Sequence, residues 1–198
     1  MSRKAVDVVL LPEEAMMDKV IEVNAELMEK FGRKIVLNKN DCLQHISLAM
    51  GCIDEKDVGD IEQVLKEIAK ECPVGDLKVV GVRTAVNAQG EKVSVIEVKK
   101  TNELQLLHEQ IMKRMTAYFS YDVSEDMIYD EEVAETTLLW IKNYPEKSSF
   151  ARFSPHITIG YGELGNQSFP KEFAAVKLAL CHLGNHCTCR KILVSLAL

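Results

Sequence analysis

Two short segments of this sequence each carry a histidine and a hydroxyl residue two positions apart. They are His45-Ile46-Ser47-Leu48 and His156-Ile157-Thr158-Ile159. Apolar residues alternate with the polar ones in both segments, and this alternation predicts a strand with one buried and one polar face. Side chains at positions i and i+2 of a strand leave the same face, with Cα atoms about 6.6 Å apart. Each segment should therefore present an imidazole and a hydroxyl side by side.

These residue types suit chemistry on a phosphate. Imidazole titrates near neutral pH, so one histidine can take a proton from a nucleophile while the other gives a proton to a leaving oxygen. Hydroxyls can donate hydrogen bonds to the non-bridging oxygens, where negative charge must be held. We therefore expect His45 and His156 to be the catalytic acid/base pair, and Ser47 and Thr158 to bind the substrate phosphate. Which histidine is the acid stays open, and two unrelated strand histidines are the alternative.

The other histidines and the cysteines offer weaker candidates. The segment His186-Cys187-Thr188-Cys189 fits the bare pattern, but it follows the turn pair Gly184-Asn185 and is interpreted as the start of a return strand. His108 lies beside the apolar stripe of a predicted helix and is expected to be packed or half-exposed there. A Cys/His cluster could form a structural metal site, but its spacing is not a zinc pattern, so no metal is expected. Its members are Cys181, His182, His186, Cys187 and Cys189.

Composition and charge restrict the class of protein. The 198 residues, 47% hydrophobic and 27% charged, are typical of one soluble globular domain. We expect a cytoplasmic monomer, because no apolar run approaches the about 20 residues of a membrane span and the N-terminus resembles a strand more than a secretory signal. The net charge of −6 argues against binding to long duplex nucleic acid, but not against a small nucleotide or short RNA. The six cysteines have no framework spacing and are expected to be free thiols.

The order of the predicted elements indicates an α+β fold, because helices fall mostly in the first two thirds and consecutive strands favour antiparallel pairing. Strands are predicted at 4–11, 42–50, 77–86, 92–99, 174–183 and 187–196, with a further strand that begins at His156 and is ended by Gly160 and Gly162. Helices are predicted from Pro12 to Gly32, over 57–72, after the cap Thr101, and before Tyr144-Pro145. Gly51 should end the first histidine strand. An acidic stretch within about 122–145 is interpreted as an exposed insertion or lid in a single domain spanning 1–198.

The two histidine motifs resemble those of the two-histidine (2H) phosphoesterases, which include the 2′-5′ RNA ligase-like proteins and the cyclic phosphodiesterases. That family has a pair of His-x-Thr/Ser motifs flanked by apolar residues. The second motif, with Phe153 upstream and Pro155 directly before His156, is the closer match. The first carries Ser47 where many members have threonine, which preserves the hydroxyl. The helix that carries His108 also resembles the segment between the family's motifs.

The resemblance implies a bilobal fold in which two mainly antiparallel sheets face a central cleft, with helices outside. It also implies a metal-independent phosphodiesterase without cofactors that acts on RNA-derived phosphates, by 2′,3′-cyclic phosphate opening, by 2′-5′ linkage cleavage or ligation, or by trimming of RNA ends. Arg152 is a weaker candidate for neutralising phosphate, and Tyr161 for stacking on a base. The alternative function is a non-catalytic protein that binds a nucleotide or RNA end in the same pocket.

Overall fold

The structure, a computed structural model, describes residues 2–87, 89–130 and 132–198. Ala88 in a predicted turn and Glu131 in the acidic stretch lie outside the described residues. The strands are β1 (Arg3–Pro12), β2 (Ile46–Asp54), β3 (Leu77–Val86), β4 (Lys92–Val98), β5 (His156–Tyr161), β6 (Glu172–Phe173), β7 (Ala175–Leu183) and β8 (Cys189–Ala197). The α-helices are α1 (Glu14–Phe31), α2 (Val58–Glu71), α3 (Asn102–Met115) and α4 (Glu135–Lys147).

The eight strands form one antiparallel sheet in the order β6-β3-β4-β5-β2-β1-β7-β8. This confirms the predicted α+β class. The two expected sheets are the two four-stranded halves of this sheet, and they join where β2 lies beside β5. The join is short, because its ladder contains the single pair Ile46 and Ile157. Both histidine motifs therefore lie at the junction of the two halves.

The helices use the apolar stripes that the sequence predicted. In α1 the stripe buries Met16, Val20, Val23 and Leu27, and Gly32 ends the helix with a positive φ of 93°. Phe31, the last residue of α1, also follows the helical spacing of the stripe but is 50% exposed, and its ring lies over Gly162 beyond the end of β5. None of the described helices is long and apolar enough to cross a membrane.

The first histidine strand differs from its prediction at both ends. It begins at Ile46, so His45 directly precedes it, and it continues through Gly51 to Asp54. Gly51 does not end the strand, because it pairs with Val6 of β1 and leaves room for the Phe119 ring. A Cβ atom at this position would lie 2.6 Å from Phe119 Cγ. The glycine therefore serves close packing rather than a turn.

The acidic segment is anchored to the rest of the domain. It contains a 3-10 turn at Glu125–Met127 and then helix α4. Met127, Ile128, Ile141 and Tyr144 belong to the main hydrophobic core. The segment is thus not wholly exposed, and its description as an insertion or lid stays a prediction.

Candidate active site

The two histidine motifs meet as neighbouring antiparallel strands. Ile46 and Ile157, the middle residues of the motifs, are the paired residues, and both are in the core. In an antiparallel ladder this register sets His45 opposite Thr158 and Ser47 opposite His156, with directly opposed Cα atoms about 4.5–5.5 Å apart. Because side chains alternate along a strand, all four polar side chains leave the face opposite the two isoleucines. The arrangement places two imidazoles and two hydroxyls around one point.

Each histidine is oriented by a backbone carbonyl two residues earlier. His45 Nδ1 lies 2.8 Å from the Leu43 carbonyl oxygen, and His156 Nδ1 lies 2.8 Å from that of Ser154. A carbonyl oxygen can only accept a hydrogen bond, so Nδ1 carries the proton in both rings. In the neutral imidazole Nε2 then holds the free electron pair. Both rings therefore present the same atom for proton transfer.

Burial lowers the pKa of both motif histidines. For His45 the bond to Leu43 partly opposes this effect, and the nearby His156 lowers the pKa further. For His156 the bond to Ser154 raises the pKa, Arg83 lowers it and Glu97 raises it. The mutual effect of the two rings follows from their proximity, because a charge on one disfavours a charge on the other. Neutral histidines therefore prevail in the free site near neutral pH.

A buried carboxyl group lies beside the first motif. Asp7 of β1 is fully buried, and its Oδ2 lies 3.9 Å from His45 Nε2. Neither carboxyl oxygen makes a hydrogen bond of normal geometry to another described residue. Burial raises the pKa of Asp7 well above its usual range, and the nearby Ser47 hydroxyl and the backbone at Ala49 and Leu48 oppose this only in part. Sequence analysis missed Asp7, although a charged residue inside the apolar run Ala5–Leu11 is an anomaly that could have indicated it.

Arg83 is a cation beside the second motif, and the predicted phosphate contact of Arg152 stays a prediction. Glu97 of β4 pairs directly with His156 and holds Arg83 Nε at 2.7 Å. Arg152 is exposed on a 3-10 turn at Phe150–Arg152, where its guanidinium donates to the Glu146 carbonyl. Sequence analysis missed Arg83 because the β3–β4 register, which brings it toward His156, is not visible in either strand alone.

Tyr161 is already engaged by neighbouring side chains. Its hydroxyl lies 3.1 Å from His186 Nδ1, and Lys34 Nζ lies 4.9 Å from the ring centroid. The His186 ring meets it edge-on at a centroid separation of 5.2 Å. A base that stacked on the face beneath Lys34 would have to displace that lysine. The predicted role of Tyr161 in substrate binding stays a prediction.

Comparison with solved structures identifies the fold. LigT of Escherichia coli, solved in its apo form, aligns over 100% of this chain and 98% of its own, with a TM-score of 0.51 and 11% sequence identity. This is the LigT fold. No protein-family model matches the sequence, and no curated protein is similar enough in sequence to be matched. The likeness therefore rests on architecture.

His108, on helix α3 of this LigT fold, contacts the backbone at both histidine motifs. It is fully buried, and its Nδ1 donates at 2.6 Å to the carbonyl of Leu48, the last residue of the first motif. Its Nε2 accepts from the Phe150 amide at 2.7 Å, and its ring stacks on Phe153 at a centroid distance of 4.1 Å, just before the second motif. One bond requires a protonated nitrogen and the other a free one, so the ring is neutral. The expectation that His108 is packed is confirmed.

The cysteine prediction was wrong in one respect. Cys181 and Cys189 form a disulfide between β7 and β8, while Cys42, Cys52, Cys72 and Cys187 are free. The spacing of the cysteines did not indicate this pair, because the two cysteines meet only through the register of the hairpin.

In the described residues no group of three His, Cys, Asp or Glu side chains is placed to hold a metal ion. His186 and Cys187 lie in a 3-10 turn, Asn185–Cys187, and β8 begins only at Cys189.

Proposed function

We propose that this chain is a metal-independent phosphoesterase of the two-histidine type that acts on RNA-derived phosphodiesters. The observation that carries the proposal is the pairing of Ile46 with Ile157, which opposes each motif histidine to the hydroxyl of the other motif. The fold supports the same class, because the whole chain aligns with LigT and the motif resemblance implies an α+β phosphoesterase fold. The substrate is a small nucleotide or a short RNA, and the reaction is 2′,3′-cyclic phosphate opening or cleavage or ligation of a 2′-5′ linkage.

The mechanism uses proton transfer at the two Nε2 atoms. One neutral histidine removes the proton of the attacking water as its oxygen bonds to phosphorus. The other, protonated, gives its proton to the leaving ribose oxygen as the old bond to phosphorus breaks. The Nδ1–H bonds to Leu43 and Ser154 set the tautomer of both rings, so Nε2 is the atom that exchanges protons with the substrate.

The hydroxyls hold the charge that develops on the phosphate. Thr158 makes no side-chain hydrogen bond to another described residue, and Ser47 lies beside the Asp7 carboxyl, whose pKa burial raises. The Thr158 hydroxyl is thus available to donate to a non-bridging oxygen, and the Ser47 hydroxyl can do so when it turns from Asp7 to the phosphate; such donors stabilise the transition state.

Product analysis tests this proposal. The protein is incubated, with chelator present, with the four 2′,3′-cyclic nucleotides and with a 2′-5′-linked oligoadenylate, and products are separated by chromatography. We expect conversion of at least one substrate by the wild type and none by a folded His45→Ala/His156→Ala double variant. Equal conversion by that variant would contradict the proposal. Tight ligand binding without any product would instead favour the non-catalytic nucleotide or RNA-end binding protein.

A further inference from the structure

Asp7 is a carboxyl group in a position where its burial lowers the stability of the fold. Its oxygens are fully buried and make no hydrogen bond of normal geometry to the described residues, although the Ser47 hydroxyl and the backbone of Leu48 and Ala49 approach them, and removal of a polar group from water without full hydrogen bonding is unfavourable. β1 also supplies apolar residues on both sides of it, so a valine would fit the strand. The carboxyl is instead retained 3.9 Å from His45 Nε2, the nitrogen that transfers protons in the proposed mechanism.

The elements packed around Asp7 leave His45 as its proton partner. Tyr144 of α4 and Cys187 of the 185–187 turn are also near it, and burial raises the pKa of both, so they stay neutral. Cys181, its pairing partner on β7, is in the disulfide and has no proton to exchange. Among the described residues, the only nitrogen at ion-pair distance from Asp7 is His45 Nε2. Ser47 can share a hydrogen bond but not a charge.

Building on the function proposed above, we propose that Asp7 stores the proton that His45 delivers to the leaving oxygen. Both motif histidines are mainly neutral in the free site, yet the reaction needs one imidazolium. Rotation of the two side chains closes the 3.9 Å gap to hydrogen-bond length, and the Asp7 carboxyl proton moves to Nε2. The product of this step is a carboxylate beside an imidazolium, a pair that is stable only while both charges are present.

The remaining protons then balance. His45 gives its proton to the leaving oxygen as the bond from that oxygen to phosphorus breaks. His156 takes a proton from the attacking water as the new oxygen–phosphorus bond forms. After release of the product, the His156 proton returns through solvent to the Asp7–His45 pair. His156 is suited to this exchange because its neighbours Arg83 and Glu97 are solvent-accessible, whereas Asp7 is sealed.

This inference assigns the acid role to His45 and the base role to His156. It predicts a dependence on the leaving group, because a weakly basic leaving group needs no proton. Asp7→Asn should lower kcat at pH 8 at least about tenfold on a 2′,3′-cyclic nucleotide, where a ribose hydroxyl leaves. At pH 5, where His45 can take its proton from solvent, the loss should be small. On bis(p-nitrophenyl) phosphate the variant should match the wild type.

Matched variants make the test decisive. His45→Ala should show the same dependence on the leaving group, and His156→Ala should lose activity on both substrates. Met50→Leu, at the β2 position paired with Asp7, conserves volume and should leave both activities unchanged. Asp7→Val replaces Asp7→Asn if the asparagine variant fails to fold. Wild-type activity in Asp7→Asn, or an equal loss on both substrates and at every pH, would overturn the inference.

A second readout is independent of turnover. In the wild type the ¹⁵N resonance of His45 should titrate in two steps, because the proton is shared with Asp7, and in Asp7→Asn it should titrate in one. Identical curves would overturn the role of Asp7 even in an inactive protein. Absence of product from the wild type, together with the two-step titration, would instead contradict the proposed function alone.

Discussion

Ile46 of β2 and Ile157 of β5 face each other as the single paired position between the two halves of the sheet. Each isoleucine is the middle residue of a histidine motif, and the strands run in opposite directions. The pair is therefore the centre of an approximate twofold arrangement in which each histidine lies across from the hydroxyl of the other motif. Both isoleucines are buried, so core packing and site geometry are set by the same contact.

The hydroxyls should matter in the chemical step. Thr158→Val keeps the shape of the side chain but removes the donor, and we expect kcat to fall about 10²–10³-fold, as for loss of one transition-state donor. Thr158→Ser retains the hydroxyl and should stay within about tenfold of the wild type. Steady-state kinetics on the best cyclic nucleotide measures both. If the valine and serine variants were equally active, Thr158 would have no role in phosphate binding.

Loss of His108 should destabilise the fold and the site together. His108→Phe preserves the stack on Phe153 but leaves the Leu48 carbonyl and the Phe150 amide without their partner. We expect the free energy of unfolding to fall by about 2–4 kcal/mol in urea titrations. Leu106→Ala on the same helix, at a position that is 47% exposed, should change it by less than about 0.5 kcal/mol. If His108→Phe also changed the free energy of unfolding by less than about 0.5 kcal/mol, the bridging role of His108 would be contradicted.

The sequence predicts local structure well because local rules produce it. The apolar stripe of α1 and the alternation around His156 follow from helix and strand periodicity. The cap of α3 is also local, since Thr101 Oγ1 accepts from the Leu104 amide at 3.2 Å. Such features need only a few neighbouring residues. They are sufficient for the α+β class, and they indicated the two histidine motifs that the sheet brings together.

Long-range features were not predictable in the same way. The pairing of Ile46 with Ile157 joins distant parts of the chain, and no local pattern specifies that register. The site neighbours Asp7 and Arg83 depend on strand registers of the same kind. The disulfide was missed because Cys181 and Cys189 approach only across the β7–β8 hairpin.

Stability should depend on pH through the histidines. Burial lowers the pKa of all five, so below about pH 6.5 the folded chain binds fewer protons than the unfolded chain. The free energy of unfolding should therefore fall as the pH is lowered from 7 to 5. Asp7 acts in the opposite direction, because its raised pKa makes the folded chain keep a proton that the unfolded chain loses.

Urea unfolding at pH 5, 6 and 7 measures this dependence. Asp7→Asn removes the opposing contribution, so its stability should rise more steeply with pH than that of the wild type. A stability that was flat with pH in both proteins would contradict the assigned protonation states.

The disulfide should be detectable by chemical labelling. Alkylation of the denatured, unreduced protein should modify four cysteines, and prior reduction should raise the number to six. The Cys181→Ser/Cys189→Ser variant should lose about 2–3 kcal/mol of unfolding free energy, the amount expected when the cross-link of a short loop is removed. Six labelled cysteines without reductant would show that the pair is not bonded.

The most direct test of the site is whether His45 and His156 act as one unit. Single-turnover rates are measured on the best substrate for His45→Ala, His156→Ala and the double variant, with folding checked by circular dichroism. We predict that each single substitution lowers the single-turnover rate at least about 10²-fold. The double variant should be little slower than the slower of the two single variants, because acid and base serve one transition state. Losses that multiply in the double variant, or a single variant with near wild-type rate, would contradict two histidines acting on one phosphate.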